Sequence, residues 1–269
     1  MVNLIKYDLR IGIKDRISNI ALPAVVFCLC SIFSKGLNLG ERLAIMFVGS
    51  YPQLEAENGG VPIYWMLIHI GCLLFSVEYP IRDLSLYGRQ MVVRCQSKYK
   101  WWLSKCVWCL VNTFIYYLVG IITEAVICIG FNDKLTFELR TIALSGSLEM
   151  SVNSLGYEVQ ALQAAIVIVI LPLLTMYALN LMQMIIGVVT NHIIALLGGL
   201  TVITAALYLQ SPLLIGNYSM LQRSAIFNRG GLDLSMGIII MLIEIIVIVC
   251  IGMEIFNHMD ILELKKSGE

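Results

Sequence analysis

The apolar positions of this chain gather into long blocks separated by polar stretches. A membrane crossing needs about 20 mostly apolar residues, and six blocks approach that length: 17–34, 61–79, 106–131, 159–187, 191–209 and 236–256. The first is the shortest and carries Pro23; the fourth carries Pro172. Such prolines are tolerable in lipid, because neighbouring groups can satisfy the carbonyls they free. The fourth and fifth blocks are separated only by Val188, Val189 and Thr190, which predicts a tight helical hairpin. The fold class expected is an all-α membrane protein, one transmembrane domain over 1–269 with six transmembrane helices. A long polar segment containing Asp8 and Asp15 precedes the first block, unlike the short basic leader of a cleavable signal, so that block should persist as a span.

Composition agrees. With 59% hydrophobic and 13% charged residues, the chain has too little charge to cover a soluble domain. Formal net charge is zero, which gives no support to a nucleic-acid partner. The position of the charges says more than their sum. Lys6, Arg10, Lys14 and Arg16 precede the first block, six cations from Arg82 to Lys105 separate the second and third, and Lys265 and Lys266 close the chain. The opposite side holds Lys35, Arg42, Lys134, Arg140, Arg223 and Arg229. Twelve cations against six place both termini in the cytoplasm, in a multi-pass protein of the cell membrane. Tyr51, Tyr64 and Trp65 would mark the outer boundary and Trp101, Trp102 and Trp108 the inner one, as amphipathic rings at headgroup level.

The densest charge lies in residues 86–105, where Arg89, Arg94, Lys98, Lys100 and Lys105 accompany two adjacent tryptophans. On a helix, Leu84, Met91, Val92, Cys95, Tyr99, Trp102 and Leu103 share a broad apolar face with the cations flanking it, as in a segment lying at the inner interface before turning upright into the third span. Pro80 and Gly88 are the plausible breaks. Such a loop can be an orienting anchor and nothing more, or it can also dock a cytoplasmic partner.

Catalytic and metal motifs are absent. Neither GxSxG nor HExxH occurs, and His69, His192 and His258 lack ligand spacing, so catalytic and metal-ligating residues are both expected to be none. The eight cysteines lie in apolar segments or the basic stretch, as isolated thiols would; Cys106 and Cys109 have CxxC spacing without a second ligand pair. No GxxxxGK[ST] occurs, so energy coupling through a P-loop would need another polypeptide. Glu124 and Glu244 sit within blocks, roughly 10 Å and roughly 12 Å from the outer boundary at 1.5 Å per residue. A charge in a span is costly and usually faces protein or water. Glu124, Glu244 and His69 are therefore candidates for a translocation path or dimer contact, or for hydrogen-bonded packing positions. Asn180, Gln183, Asn191 and His192 form a second polar patch that reads as structural, and Asn217-Tyr218-Ser219 is a formal glycosylation sequon.

The order of basic leader, Glu78 closing the second block, cation-rich connection and Lys105 entering the third resembles the permease subunits of ABC-2 type exporters, including those giving self-immunity to antibiotic peptides. Glu78, Arg94 and Lys105 would occupy that family's acidic, arginine and lysine positions, with Pro80-Ile81-Arg82-Asp83 standing where Gly-Thr is usual. The resemblance implies an interfacial elbow helix over 1–16, on which Val2, Ile5, Leu9 and Ile13 form a stripe, and a cytoplasmic coupling helix within 80–105. Arg82, Asp83, Tyr87, Arg89, Met91 and Arg94 would then be the partner-coupling residues. It further implies an outer loop at 211–233 that dips into the membrane. The partners it implies are a second permease subunit, membrane lipid and a separate ATP-binding subunit. That subunit would hold ATP and magnesium, leaving this chain without a cofactor or enzymatic activity of its own. An amphipathic peptide, antibiotic or lipid-like substrate would be exported. A self-sufficient secondary transporter and a structural or receptor subunit are the rival readings.

Overall fold

The computed structural model describes residues 1–16, 19–31, 34–50, 61–84, 97–137, 139, 163, 165–227 and 230–259. Among them the chain is helical, with no strand and one isolated bridge between Ser224 and Leu232. The helices are α1 (Val2–Arg16), α2 (Ala21–Cys30), α3 (Leu39–Met46), α4 (Ile63–Ser76), α5 (Glu78–Asp83), α6 (Lys98–Gly130), α7 (Leu171–Val189, preceded by a π turn at Ile166–Ile170), α8 (His192–Tyr208) and α9 (Leu234–His258). Among the described residues, four stretches are long and apolar enough to cross a membrane: Ile63–Asp83, Lys98–Gly130, Ile166–Val189 and Leu234–His258. They match four of the expected blocks. The other two blocks hold shorter apolar helices, Ala21–Cys30 and His192–Tyr208.

The prolines explain where these helices begin and bend. Pro23 sits in the first turn of α2, where its missing N–H has no partner to lose. Pro172 stands at the start of α7 and deprives the Ile168 carbonyl, four residues earlier, of its usual donor; the Tyr117 hydroxyl of α6 donates to that carbonyl instead. Pro80 has no N–H to give Ser76, and the second span bends at Val77, between α4 and α5.

Lys98–Gly130 is a single helix of 33 residues, so the last two turns of the basic stretch, Lys98 to Lys105, run unbroken into the span. The tryptophans are buried in packing: Trp65, Trp101, Trp102 and Trp108 are each at most 1% exposed. Their indole nitrogens explain three of these positions, since Trp65 donates to Ser219 Oγ, Trp101 to Asp83 and Trp102 to the Val249 carbonyl. α3 was not anticipated. It is started by a capping box in which Asn38 accepts from the Glu41 amide and Glu41 from the Asn38 amide, both at 2.9 Å. Gly40 of this helix lies so close to Phe137 that a Cβ would come within 2.8 Å of its backbone, so the approach requires glycine.

The core has two tiers. One gathers Phe27, Phe47, Trp65, Tyr116, Tyr117 and Met220 beneath α3 and the 211–233 loop. The other gathers Leu4, Tyr79, Trp101, Trp108, Tyr177 and Phe256 at the opposite end, where α1, α5, the start of α6 and the end of α9 meet. The turn between α7 and α8 lies at this second end too, with Gly187 against Ile81 and the Asn191 side chain capping α8. The hairpin is as tight as its three-residue separation implies. All seven described cysteines are free thiols, Cys106 and Cys109 among them.

Candidate functional site

At the second end, the first helix and both sides of the basic connection converge on one buried lysine. Lys105 lies two turns into α6 and is fully buried; its Nζ is 2.6 Å from Asp8 Oδ1 and 2.7 Å from Asp83 Oδ2. Asp8 comes from the middle of α1 and Asp83 from the last turn of α5, and both are at least nine-tenths buried. Further donors spread the charge of the two carboxylates. Ser104 Oγ donates to Asp8 at 2.5 Å, Tyr79 Oη to Asp8 at 3.2 Å and Trp101 Nε1 to Asp83 at 3.3 Å. The ammonium also lies 4.6 Å from the Tyr79 ring centroid and 5.2 Å from that of Trp101.

Local structure explains why these groups need one another. Asp83 is at the C-terminal end of a helix, where the backbone dipole disfavours a carboxylate. Lys105 offsets that penalty, and neither charge could be buried without the other. On α1 the packed positions are Leu4, Asp8 and Gly12, four residues apart, so the helix docks through a face with an acid at its centre. The expected stripe is a different face: Val2 is 64% exposed, Ile5 and Leu9 are half-buried, and the Ile13 side chain lies outside the described residues. Gly12 lets α1 approach α6, since a Cβ there would meet Trp108 Nε1 at 2.1 Å. Lys98 closes the same end by donating to the Asn257 and Met259 carbonyls at 2.9 and 2.7 Å, satisfying the C-terminus of α9. The stacked rings of Trp101 and Phe256 lie beside that contact.

Of the residues assigned to partner coupling, Arg82 is exposed on α5, whereas Asp83 turns inward to Lys105. Tyr87, Arg89, Met91 and Arg94 lie outside the described residues. The triad holds the two ends of the segment that contains them, since Asp83 precedes it and Lys105 follows it. Asp8 was missed as a site residue, whereas Lys105 stands at the lysine position that the resemblance assigns.

His69, Glu124 and Glu244 do not come together. His69 is fully buried in the tier beneath α3, Nδ1 at 2.7 Å from the Trp65 carbonyl and Nε2 at 3.4 Å from Ser219 Oγ. Glu124 is fully buried too and accepts from Ser31 at the end of α2, while Arg42 of α3 pairs with Asp133 at 2.5 Å nearby. Glu244 is half-buried on α9, facing Tyr218. Among the described residues each packs against different neighbours. Burial, with the Glu244 carboxylate next in importance, pushes the Tyr218 hydroxyl above its ordinary value.

The 211–233 loop folds back onto the same tier as His69. Leu221 and Gln222 donate backbone N–H groups to the carbonyls of Phe47 and Val48. Arg223, 1% exposed, donates to the carbonyls of Ser50, Ala206, Leu207 and Leu209 and to Asn217 Oδ1. It thereby caps the end of α8. The buried part of the loop is 216–224, while Leu213 of the expected dip is 75% exposed. Asn217 of the sequon is fully buried, its Nδ2 given to the Leu209 and Ser211 carbonyls, so the folded protein offers no glycosylation acceptor there.

A family profile described as protein of unknown function (DUF2705) matches residues 24–262. The chain belongs to this family. No curated protein and no solved structure matches. The matched region of this family member takes in Asp83 and Lys105 and starts after α1, so Asp8 reaches the triad from outside it.

Proposed function

We propose that this protein is the membrane subunit of an ABC-2-like exporter, driven by a separate ATP-binding subunit and moving an amphipathic peptide, antibiotic or lipid-like substrate outward. The observation that carries the reading is the Asp8–Lys105–Asp83 triad. It fixes both ends of the cation-rich segment, and the first helix, to one rigid core. A connection held at both ends can transmit a push from a cytoplasmic partner, which a loosely tethered orienting loop cannot. In this reading α1 is the elbow, the segment between α5 and α6 is the coupling element, and α2 and α8 join the four long stretches to make six passes. Both termini are cytoplasmic, and the path runs between two such subunits.

The test is affinity purification of the intact chain from its native membrane. A copurifying P-loop protein whose ATP hydrolysis depends on this chain supports the proposal. Arg89→Gln with Arg94→Gln, and Tyr87→Ala with Met91→Ala, should insert normally yet retain less of that partner. Transport in proteoliposomes holding this chain alone would favour a secondary transporter, and partner binding without transport a structural subunit.

Orientation has its own test. With the native cysteines replaced by alanine, Leu213→Cys should react with an impermeant thiol reagent in intact cells, and Ser267→Cys only after permeabilisation. Leu213 is a sounder probe than Ser219, which is fully buried. Labelling of residue 267 in intact cells would reverse the topology.

A further inference from the structure

Beside the bend at Val77 lies a small inner cavity with about 10 Å³ of room for a water-sized sphere, lined by Ser76, Pro80, Cys109, Asn180, Gln183 and Met184 among others. Room of this size is about what one water molecule needs, provided two to four polar groups receive it. The walls supply them. Asn180 and Gln183, one turn apart on α7, are each 2% exposed, and both Asn180 Oδ1 and Gln183 Nε2 are buried without a hydrogen-bond partner.

The orientation of Asn180 is fixed by its neighbours. Thr113 Oγ1 gives its hydrogen to the Cys109 carbonyl at 2.8 Å, so it can only accept from Asn180, whose Nδ2 is 2.9 Å away. Asn180 Oδ1 must therefore face the other way and needs a donor. Ser76 Oγ accepts from Asn112 Nδ2 at 3.0 Å and still has its hydroxyl hydrogen to give. The Ser76 carbonyl is the one that Pro80 cannot satisfy.

We propose that this cavity is a binding site for one structural water molecule. The water accepts from Gln183 Nε2 and the Ser76 hydroxyl and donates to Asn180 Oδ1 and the Ser76 carbonyl. Two donors and two acceptors match its four hydrogen-bonding positions. The bend is then a hydrated joint: α5, which carries Asp83, is connected to α4 through a solvent molecule at the point where the helical ladder is interrupted.

Two measurements on the full-length protein in detergent test this. An X-ray pulse makes hydroxyl radicals from water where it is bound, and they modify the side chains beside it. Met184 should be oxidised at a dose that leaves Met176 and Met241 intact, although all three are buried. Gln183→Met, which keeps the shape and removes the donor, should lower the melting temperature by about 3 °C, the effect of about one lost hydrogen bond in a chain of this size. With no water present, the same change removes an unsatisfied buried amide and should raise the melting temperature. Oxidation of Met184 no faster than Met176 and Met241, or an unchanged or raised melting temperature in Gln183→Met, overturns the proposal.

Discussion

Lys105→Met should detach α1 from the bundle and destabilise the protein by about 3–5 kcal/mol, the usual cost of leaving buried charges without their partner. Two carboxylates, Asp8 and Asp83, would then face each other inside a cage of aromatic rings with no cation between them. The expected readouts are a lower melting temperature in detergent and faster proteolysis within Val2–Arg16. Lys105→Arg should restore little, because a planar fork cannot take the place of a compact ammonium enclosed by Tyr79 and Trp101. Asp8→Asn combined with Lys105→Met should lose less than the two single changes added together, since the second removes a charge that the first has already relieved. Strict additivity would mean that the two groups do not interact energetically. In that case the triad would not be what holds the first helix.

Arg223→Met should release the 211–233 loop, with a loss of about 3 kcal/mol or more. The guanidinium serves four backbone carbonyls and the Asn217 side chain, and several of these acceptors are buried away from other donors. Each buried acceptor left alone costs about 1–3 kcal/mol, and some would find replacement partners. Lysine has three donors on one nitrogen and cannot reach acceptors spread from Ser50 to Leu209, so Arg223→Lys should recover only part of the loss. The measurement is thermal stability together with hydrogen exchange of residues 216–224, which should speed up in the variant. Slow exchange in Arg223→Met would show that the backbone bonds of Leu221 and Gln222 to Phe47 and Val48 hold the loop unaided.

The sequence expresses some of these features plainly and others not at all. Long apolar blocks are visible because lipid-facing helices have no polar side to interrupt them, as on α9, where only 17% of the span window is buried. The tight hairpin was legible because three residues leave no room for anything else. The position of α3 could have been read from Asn38 and Glu41, the two ends of a capping box, but its short apolar content looked like loop. Asp8 was hidden for another reason. A charged residue flanked by basic neighbours reads as solvated, and only the four-residue spacing of Leu4, Asp8 and Gly12 hints that the acid lies on the packed face. The burial of Lys105 was disguised in the same way by the cations before it. What joins the two is a contact between residues 97 positions apart, which no local pattern can reveal.

The length of α6 also fixes the depth of the triad. Its exposed apolar residues run as a line up one side, Leu110, Phe114, Leu118, Ile122, Val126 and Ile129. At 1.5 Å per residue this line is about 29 Å long, close to the thickness of a bilayer's hydrocarbon. In a bilayer whose hydrocarbon matches this line, Lys105 would lie five residues beyond its end, about 8 Å into the headgroup layer by the same rise. The ion cluster would then sit just beyond the oil, with little margin. A thicker bilayer, matched to a longer hydrophobic length, would draw its aromatic cage towards the acyl chains, and a thinner one would leave it in water.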